Sequence, residues 1–554
     1  MLRISSILNG RAFYSAVAVT LIYLLYLFIY ISGPLAGDIS TYSSNSDGKF
    51  YYAISNDLSI TEEKSSQIDM PAYRYQRIGT GVIAKIFSVV TFNDAVTPTN
   101  YLFAMITPIL ASFFALLLFC KRNKKSVLIV PLIFLSGSPF FSIINGFTDG
   151  VSDAALILAF ICAYHKKTNL YFLCMLTSVF CRESYAIFPI AICFSILFHE
   201  AFTSKKFSMT NTLKQTSIKT LPHVLIFAAF ASWQFYIYLK LGRLPSSYTP
   251  NTQFGLPFES GIRYALSSLS GDTVSRYPFT DHILTKDLVK YSGLIGIVIF
   301  STLILVSLKN LASTFMHRDK KTISPEMYGF ASAALVTTLM YACFGDVMMW
   351  EHVGYFKSAT SLVFFICMAS IINDKKISPL SYIPTFAICI FTLYIMWGQI
   401  GKLNTPPIVQ NTKVEYVPIQ PTCIKSPSAK IRLVGIEDIR SGFILGLLRP
   451  KFSVLSISVK NESQEPLSPY LGFGTTNVSY HWFISDGRQV VKDGIRSPLP
   501  HSLQTGESAT VKVVLAYPDE PGKYMLKLTL VQEGCNWLYG INPEVSQDIM
   551  YEIK

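Results

Sequence analysis

The residues of this sequence that are best suited to chemistry lie in the polar stretch that follows the first apolar run. Asp47 stands near its start. The candidate substrate-binding residues of its second half are Tyr73, Arg74, Gln76 and Arg77. A carboxylate can accept a proton from an attacking hydroxyl, and arginines can hold a phosphate through forked, charge-assisted hydrogen bonds. The pattern predicts a catalytic base at Asp47 and a phosphate clamp at Arg74 or Arg77.

Each of these residues also has a structural interpretation. Asp47 and Gly48 form a common turn pair, and by themselves they favour a turn over a catalytic base. Tyr51, Tyr73 and Tyr75 could stack on sugar rings or line a lipid entrance, or they could be interfacial aromatic residues of a membrane protein. The choice between the functional and the structural interpretation therefore also depends on charged residues in later segments.

Three later polar segments add ionisable residues that we expect on the same side of a membrane. Asp346 lies in the last of them, and the candidate substrate-binding residues are Asp149, Arg182, Glu183, Glu351, His352 and Lys357. Ionisable groups near the ends of apolar helices are costly, so they tend to face a cavity, pair with each other or serve function. Their convergence on one side favours a functional site.

The simpler interpretations of these later residues stay open. Arg182 and Glu183 could neutralise one another, and Asp149 could cap a helix that carries Asp153 one turn later. His352 is more typical of a hydrogen-bonded interfacial histidine than of a ligand. No spacing of histidine, cysteine and carboxylate residues resembles a metal site, so we expect no metal and no other cofactor, although a divalent ion stays open.

The elements that must position these residues are membrane helices. The chain has 554 residues, of which 51% are hydrophobic and 15% charged, less charge than a soluble protein of this length would carry. Its apolar runs predict about eleven spans within residues 1–400. They are expected at 14–31, 101–119, 127–144, 151–164, 169–181, 184–198, 221–240, 291–308, 327–344, 359–372 and 379–400. The two that flank Arg182 could also be one long helix, and 79–92 is predicted to be an interfacial helix.

The positive-inside rule predicts the orientation of these spans. With a cytoplasmic N-terminus, every short cluster of lysine and arginine falls on one side, and residues 401–554 lie outside. The net charge of +13 is mostly this topology signal, and no basic face of a soluble domain indicates nucleic acid as a partner.

The part beyond residue 400 changes in composition and pattern. Residues 401–430 are expected to form a linker and a first edge segment, and 431–554 an antiparallel β-sandwich of alternating apolar residues separated by turns. Tyr480, Trp482 and Trp537 could stack on sugars, but burial in the sandwich is favoured for Trp482. Cys423 and Cys535 could pair in an oxidising compartment, although sequence does not place them near each other.

Several blocks of the sequence resemble bacterial multi-spanning cell-surface glycopolymer proteins, which belong with the GT-C-like glycosyltransferases. The blocks are 47–54, 72–77, 145–150, 182–185 and 241–245, and the resemblance covers residues 3–400. It implies a GT-C-like membrane domain with the catalytic acidic residue at Asp47 and a second acidic position at Asp149. Many such enzymes carry an acidic pair in the first loop, whereas Asp47 has no acidic neighbour.

The outer region has a resemblance of its own. The blocks 480–487, 493–500 and 521–524 resemble an immunoglobulin-like module attached to bacterial surface-polysaccharide proteins. Such a resemblance implies glycan binding, with Tyr480, Trp482 and Trp537 as candidate contacts.

Together these observations predict a multi-pass glycosyltransferase of the bacterial cytoplasmic membrane. Its partners would be the lipid bilayer, a polyprenyl-phosphate-linked sugar donor and a glycan or glycolipid acceptor at the outer face. A flippase or transporter of lipid-linked sugars is the main alternative, and it predicts charges near mid-membrane and broken helices in matched halves. A polymerase or ligase of undecaprenyl-diphosphate-linked glycan would need a more basic cavity.

Overall fold

A computed structural model gives the fold of the chain. It describes residues 10–32, 39, 47–65, 68, 70–203, 209–245, 254–270, 286–316, 323–349, 352–401, 423–438, 452–469, 474–484, 487–491, 494–518 and 522–553. The chain divides into two compact units, one of residues 1–25 and 45–398 and the other of residues 26–44 and 399–554. The first is helical, and the second contains the β-strands.

The helices follow the apolar runs of the sequence. They are α1 (Arg11–Ser32), α2 (Gly48–Ser55), α3 (Glu62–Ser65), α4 (Pro71–Tyr75), α5 (Gly79–Val90), α6 (Pro98–Arg122), α7 (Ile129–Phe134), α8 (Ser138–Asn145), α9 (Asp149–Tyr164), α10 (Thr168–Cys181), α11 (Ile187–Thr203), α12 (Met209–Leu241), α13 (Glu259–Ser270), α14 (Lys286–Met316), α15 (Pro325–Ala342), α16 (Asp346–Met349), α17 (His352–Ile372) and α18 (Pro379–Gly401). A 3-10 helix, Glu183–Ala186, precedes α11.

Five helices of the described chain are long and apolar enough to cross a membrane. These segments are Pro98–Arg122, Thr216–Leu241, Gly293–Met316, Gly354–Ile372 and Pro379–Met396. The prediction of a largely helical, membrane-type region is therefore confirmed, whereas the count of about eleven spans stays a prediction. Of the most apolar 18-residue stretch within Gly354–Ile372, 94% is buried, so α17 lies in the interior of its unit.

One predicted span is interrupted, and a second break lies between two predicted spans. Residues 127–144 form α7 and α8 with a break between them, because the N–H groups of Gly137 and Ser138 donate to the Thr392 and Thr360 hydroxyls at 3.3 and 2.9 Å instead of continuing a helix. A Cβ on Gly137 would overlap the Phe356 carbonyl, so glycine lets the chain approach α17 closely. Side-chain donors and acceptors of this kind allow a helix to break inside a membrane protein.

The second break lies at Arg182, whose backbone is extended with φ −151° and ψ 108°. It separates α10 from the 3-10 helix and α11, so the two segments flanking Arg182 are separate helices and not one long one. The extended residue ends the helical ladder and places a long cationic side chain at the break.

The strands of the second unit form two antiparallel sheets. They are β1 (Ala429–Asp438), β2 (Phe452–Asn461), β3 (Thr476–Ile484), β4 (Gln489–Val491), β5 (Ser497–Pro498), β6 (Ser508–Ala516), β7 (Gly522–Gln532) and β8 (Ser546–Ile553). One sheet has the order β1-β2-β6, the other β4-β3-β7-β8 with β5 paired to β3. Alternate side chains of both sheets share one hydrophobic core, as period-two patterning requires.

Two of the three candidate sugar-stacking residues lie in this core. Tyr480 and Trp482 are completely buried, and both form a hydrogen bond with Ala516. The Trp482 indole donates to the Ala516 carbonyl at 2.8 Å, and the Ala516 N–H donates to the Tyr480 hydroxyl at 2.7 Å. Buried rings cannot stack on a sugar, so these two side chains stabilise the sandwich instead. Trp537 is only partly buried, with the Arg496 guanidinium 4.8 Å from its ring centroid.

A disulfide joins Cys423, before β1, to Cys535, after β7, with a Cα–Cα distance of 5.6 Å. This bond closes a loop with a sequence separation of 112 residues. A cross-link over so long a segment restricts the unfolded chain and so raises the free energy of unfolding.

We expect Cys535→Ser to lower the free energy of unfolding of the sandwich by about 2–5 kcal/mol. The urea midpoint at which the sandwich of the purified full-length chain becomes sensitive to protease measures this change. Cys343→Ser, which removes a free cysteine of the helical unit, is the matched control. Equal midpoints for wild type and Cys535→Ser would contradict the prediction.

Candidate functional site

Asp47 stands at the N-terminal boundary of α2, but its side chain does not cap that helix. Its Oδ2 atom accepts a hydrogen bond from Arg74 Nη1 at 2.9 Å, and its side chain remains 44% exposed while that of Arg74 is 7% exposed. Within the described chain, Oδ1 accepts no hydrogen bond. The carboxylate is therefore oriented by a buried cation and keeps one oxygen for another group.

Gly48 explains how Asp47 reaches the later polar segment. A Cβ on Gly48 would overlap the Asn145 carbonyl oxygen and lie 2.9 Å from the Gly146 Cα. Only glycine permits this close approach of two backbones. The start of α2 is thereby held against the connection between α8 and α9, which leads directly to Asp149.

Arg77 forms a forked ion pair with Glu183. Its Nε and Nη2 atoms each donate at 2.7 Å to one carboxylate oxygen of Glu183, a forked geometry that fixes both side chains. Nη2 also donates to the Tyr73 hydroxyl at 2.8 Å, and Nη1 to the Tyr51 hydroxyl at 3.3 Å. With these donors engaged, Arg77 would have to give up Glu183 in order to bind a phosphate.

The protonation states of this loop are fixed by burial and charge. Burial raises the pKa of the Tyr73 hydroxyl, which therefore stays protonated near neutral pH. Burial alone would lower the pKa of Arg77, but the Glu183 carboxylate together with the Tyr51 and Tyr73 hydroxyls outweighs this effect, and the pKa lies well above its usual value. Arg77 therefore remains a cation, and Tyr73 remains a hydroxyl that accepts its hydrogen bond.

Arg182 joins the loop to the interior of the bundle. Its guanidinium lies 3.7 Å from Asp149 and 3.9 Å from Asp153, which are one turn apart on α9, and Nη2 donates to Ser358 Oγ at 3.0 Å. The Tyr185 hydroxyl lies 3.5 Å from Nη1 and also donates to Asp153. One buried arginine thus serves two buried carboxylates, each within reach of its charge.

Lys357 completes the arrangement from α17. Its ammonium lies 4.3 Å from the centroid of the Phe147 ring and interacts electrostatically with Asp149, Asp47 and the nearby arginines. It makes neither a hydrogen bond nor an ion pair with any residue that the structure describes. We name the polar cluster as Asp47, Arg74, Arg77, Asp149, Asp153, Arg182, Glu183 and Lys357.

The sequence predictions for this site have different outcomes. The structure places Asp47, Arg74, Arg77, Asp149, Arg182, Glu183 and Lys357 in or beside one network, and Tyr73 lies within it. Gln76 is buried at the end of α4. Glu351 lies outside the described residues, as does the side chain of His352, which begins α17.

Other residues that the sequence suggested are buried or lie away from the polar cluster. The rings of Tyr51 and Tyr75 are 2% and 0% exposed, because Tyr51 lies against the arginines and Tyr75 donates to Asp57 at 2.7 Å. Neither ring can stack on a sugar. Asp346 accepts a hydrogen bond from Ser260 at 2.6 Å and pairs with Arg263 at 3.2 Å, and it makes no contact with the polar cluster among the described residues.

Sequence reasoning missed several hydroxyl partners of the cluster. Ser138 donates to Asp153 at 2.5 Å, and Tyr185 and Ser358 contact Arg182. Tyr185 follows Arg182 by three residues, a spacing that could have indicated the pair. Ser138 and Ser358 carry no such signal, because their relation to the cluster depends on how α8 and α17 pack.

The described side chains include no group of three or more histidine, cysteine, aspartate or glutamate residues that could hold a metal ion. The cluster instead alternates cations and carboxylates with tyrosine and serine hydroxyls between them. Such a network can orient a carboxylate and offer positive charge to an anion. Comparison with protein-family models, curated proteins and solved structures finds no match to this chain.

Arg77→Met should lower the free energy of unfolding by about 3–5 kcal/mol, because the part-buried Glu183 carboxylate loses its cation. The double variant Arg77→Met/Glu183→Gln should recover much of that loss. Thermal unfolding of the purified full chain measures both, with Lys49→Met at an exposed position as the control. A double variant no more stable than Arg77→Met would show that the pair does not carry the effect.

Proposed function

We propose that the chain is a membrane glycosyltransferase that moves a sugar from a polyprenyl-phosphate donor to a cell-surface glycan or glycolipid. The observation that carries the proposal is Asp47: a half-exposed carboxylate, oriented by buried Arg74, with one oxygen not engaged by the described residues. Buried Arg74 needs a carboxylate partner in any case, so the oxygen that stays unengaged is what supports a base.

The reaction divides between a base and a leaving group. The acceptor hydroxyl oxygen attacks the anomeric carbon of the sugar while Asp47 accepts the hydroxyl proton. The bond between the anomeric carbon and the phosphate oxygen breaks, and polyprenyl phosphate leaves with the electron pair. The cations of the polar cluster favour this step because negative charge builds on the departing phosphate.

The finer assignments of fold and location belong to the same proposal. We assign the helical unit to a GT-C-like domain with about eleven spans in the bacterial cytoplasmic membrane, a cytoplasmic N-terminus and an external sandwich. An immunoglobulin-like module is supported by the strand order β1-β2-β6 and β4-β3-β7-β8 and by Trp482 buried on β3. Of the candidate glycan contacts, Trp537 remains because its ring is partly exposed.

A flippase of lipid-linked sugars is the second candidate. Two observations favour it: α9 carries carboxylates that pair with Arg182 inside the bundle, and the segments 127–144 and 169–198 are broken helices. Transporters use broken helices and buried ion pairs of this kind at their substrate sites. The exposed Asp47 carboxylate favours the transferase instead, because a flippase needs no general base.

We expect Asp47→Asn to abolish sugar transfer, because the amide has similar shape but cannot accept the hydroxyl proton. Transfer of labelled sugar from polyprenyl-phosphate donors to glycan acceptor, with purified full-length protein, measures the change. Asp374→Asn, which alters a carboxylate paired with Lys125 outside the polar cluster, should leave transfer intact.

Three results would count against the proposal in different ways. Equal transfer by wild type and Asp47→Asn would remove Asp47 as the base. Transfer lost equally in Asp374→Asn would indicate a general defect of the preparation. Absence of transfer from every donor, with labelled lipid-linked sugar crossing proteoliposomes of the wild type, would favour the flippase.

A further inference from the structure

Lys357 is a cation whose charge has no direct partner among the described residues. Each arginine of the polar cluster lies within 4 Å of a carboxylate: Arg74 at 2.9 Å, Arg77 at 2.7 Å and Arg182 at 3.7 Å. The Lys357 ammonium faces only the Phe147 ring at 4.3 Å. An ammonium has three N–H donors, and a ring face satisfies none of them as a carboxylate or phosphate oxygen would.

A second unpaired group lies next in the chain to Phe147, the residue whose ring the Lys357 ammonium faces. Thr148 follows Phe147 directly and is 1% exposed, yet its hydroxyl has no hydrogen-bond partner in the described part of the molecule. Thr148 precedes α9 at the N-cap position, but its side chain does not cap the helix. Buried hydroxyls almost always have a partner, and this one follows the residue whose ring Lys357 faces, so it is a candidate second contact for a group that binds at Lys357.

The charges around Lys357 define what this group would be. Asp149 is the carboxylate that acts on Lys357 most strongly, but it lies 3.7 Å from Arg182, which competes for it. Arg77 and Arg182 add positive potential at Lys357, and Asp47 adds negative potential. An anion at Lys357 can therefore bind without breaking any of the arginine–carboxylate pairs.

We propose that Lys357 binds the phosphate of a phosphate monoester or diester, and that the hydroxyl of Thr148, the residue after Phe147, donates a second contact to it. Lysine binds phosphate as a compact point charge, and threonine adds a donor without adding charge. This assignment rests on the proposed function where it takes polyprenyl phosphate as the source of the phosphate. The proposal thus assigns phosphate binding to Lys357, whereas the sequence pattern predicted it at Arg74 or Arg77.

Binding of polyprenyl phosphate to the full-length chain in nanodiscs tests the assignment. Lys357→Met should weaken binding about 10- to 100-fold, because a charge-assisted hydrogen bond is lost, whereas Lys357→Arg should retain most of the affinity. Thr148→Val, which keeps the side-chain shape, should weaken binding by a smaller factor. Inorganic phosphate and the uncharged polyprenol are the comparison probes.

The comparison probes distinguish a lipid-linked phosphate from free phosphate as the ligand. Competition by inorganic phosphate that Lys357→Met abolishes would support the site with free phosphate as its ligand. Polyprenyl phosphate that binds without such competition, and loses affinity in Lys357→Met, would support a lipid-linked ligand. Unchanged affinity in both Lys357→Met and Thr148→Val, with affinity lost in Arg74→Ala, would overturn the assignment in favour of an arginine clamp.

Failure of this site is distinguishable from failure of the transferase. Phosphate binding that depends on Lys357 in a chain without transfer activity supports the site and rejects the enzyme. Transfer that depends on Asp47 but not on Lys357, at low donor concentration, supports the enzyme and rejects the site.

Discussion

The helical unit depends on finding partners for arginines that it buries. A guanidinium cannot lose its proton in a protein, so each buried arginine needs a carboxylate or several hydroxyls to offset the loss of water. Arg77 is held by Glu183 from a segment 106 residues away in the chain, and Arg182 by two carboxylates of α9. These pairs tie the loop of α2 and α4 to the bundle, and they place Asp47 at its edge.

Polar partners also accompany the two interruptions of the helices. The extended backbone at Arg182 ends α10 and lets one side chain reach Asp149, Asp153 and Ser358. At the other break, the N–H groups of Gly137 and Ser138 donate to the hydroxyls of Thr392 and Thr360. At the break in 137–138 side-chain hydroxyls thus replace the backbone acceptors that a continuous helix would provide, whereas the Arg182 N–H still donates to the Ser178 carbonyl at 3.0 Å.

Much of the fold follows from local sequence pattern. Apolar runs located the long helices, and alternating residues indicated strands such as β2, β6 and β7, because both periodicities are properties of the chain itself. The break within 127–144 was not predicted, since its backbone donors bond to Thr360 and Thr392, which lie more than two hundred residues away. The break at Arg182 was one of the alternatives that the predicted spans left open. The pairing of Cys423 with Cys535 depends in the same way on how strands distant in the chain come together.

The site was predictable in its residue types and less so in their roles. Counting charges by membrane side indicated that Asp47, Arg182 and Lys357 would gather. The sequence could not show which cation of the cluster lacks an ion-pair partner, because that depends on how the side chains pack. In the structure each arginine has a carboxylate partner, and Lys357 has none among the described residues. The sequence also could not separate Tyr73 from the buried Tyr75, since both stand in one short helix and only packing distinguishes them.

The central claim is that the polar cluster is a substrate site. The most direct measurement is an experimental structure of the full-length chain in a lipid nanodisc that contains polyprenyl phosphate. Our account predicts density for the phosphate at the polar cluster, with phosphate oxygens within hydrogen-bond distance of Lys357. The Asp47 carboxylate should line the same binding site. Phosphate bound elsewhere on the helical unit, with the cluster unchanged, would contradict it.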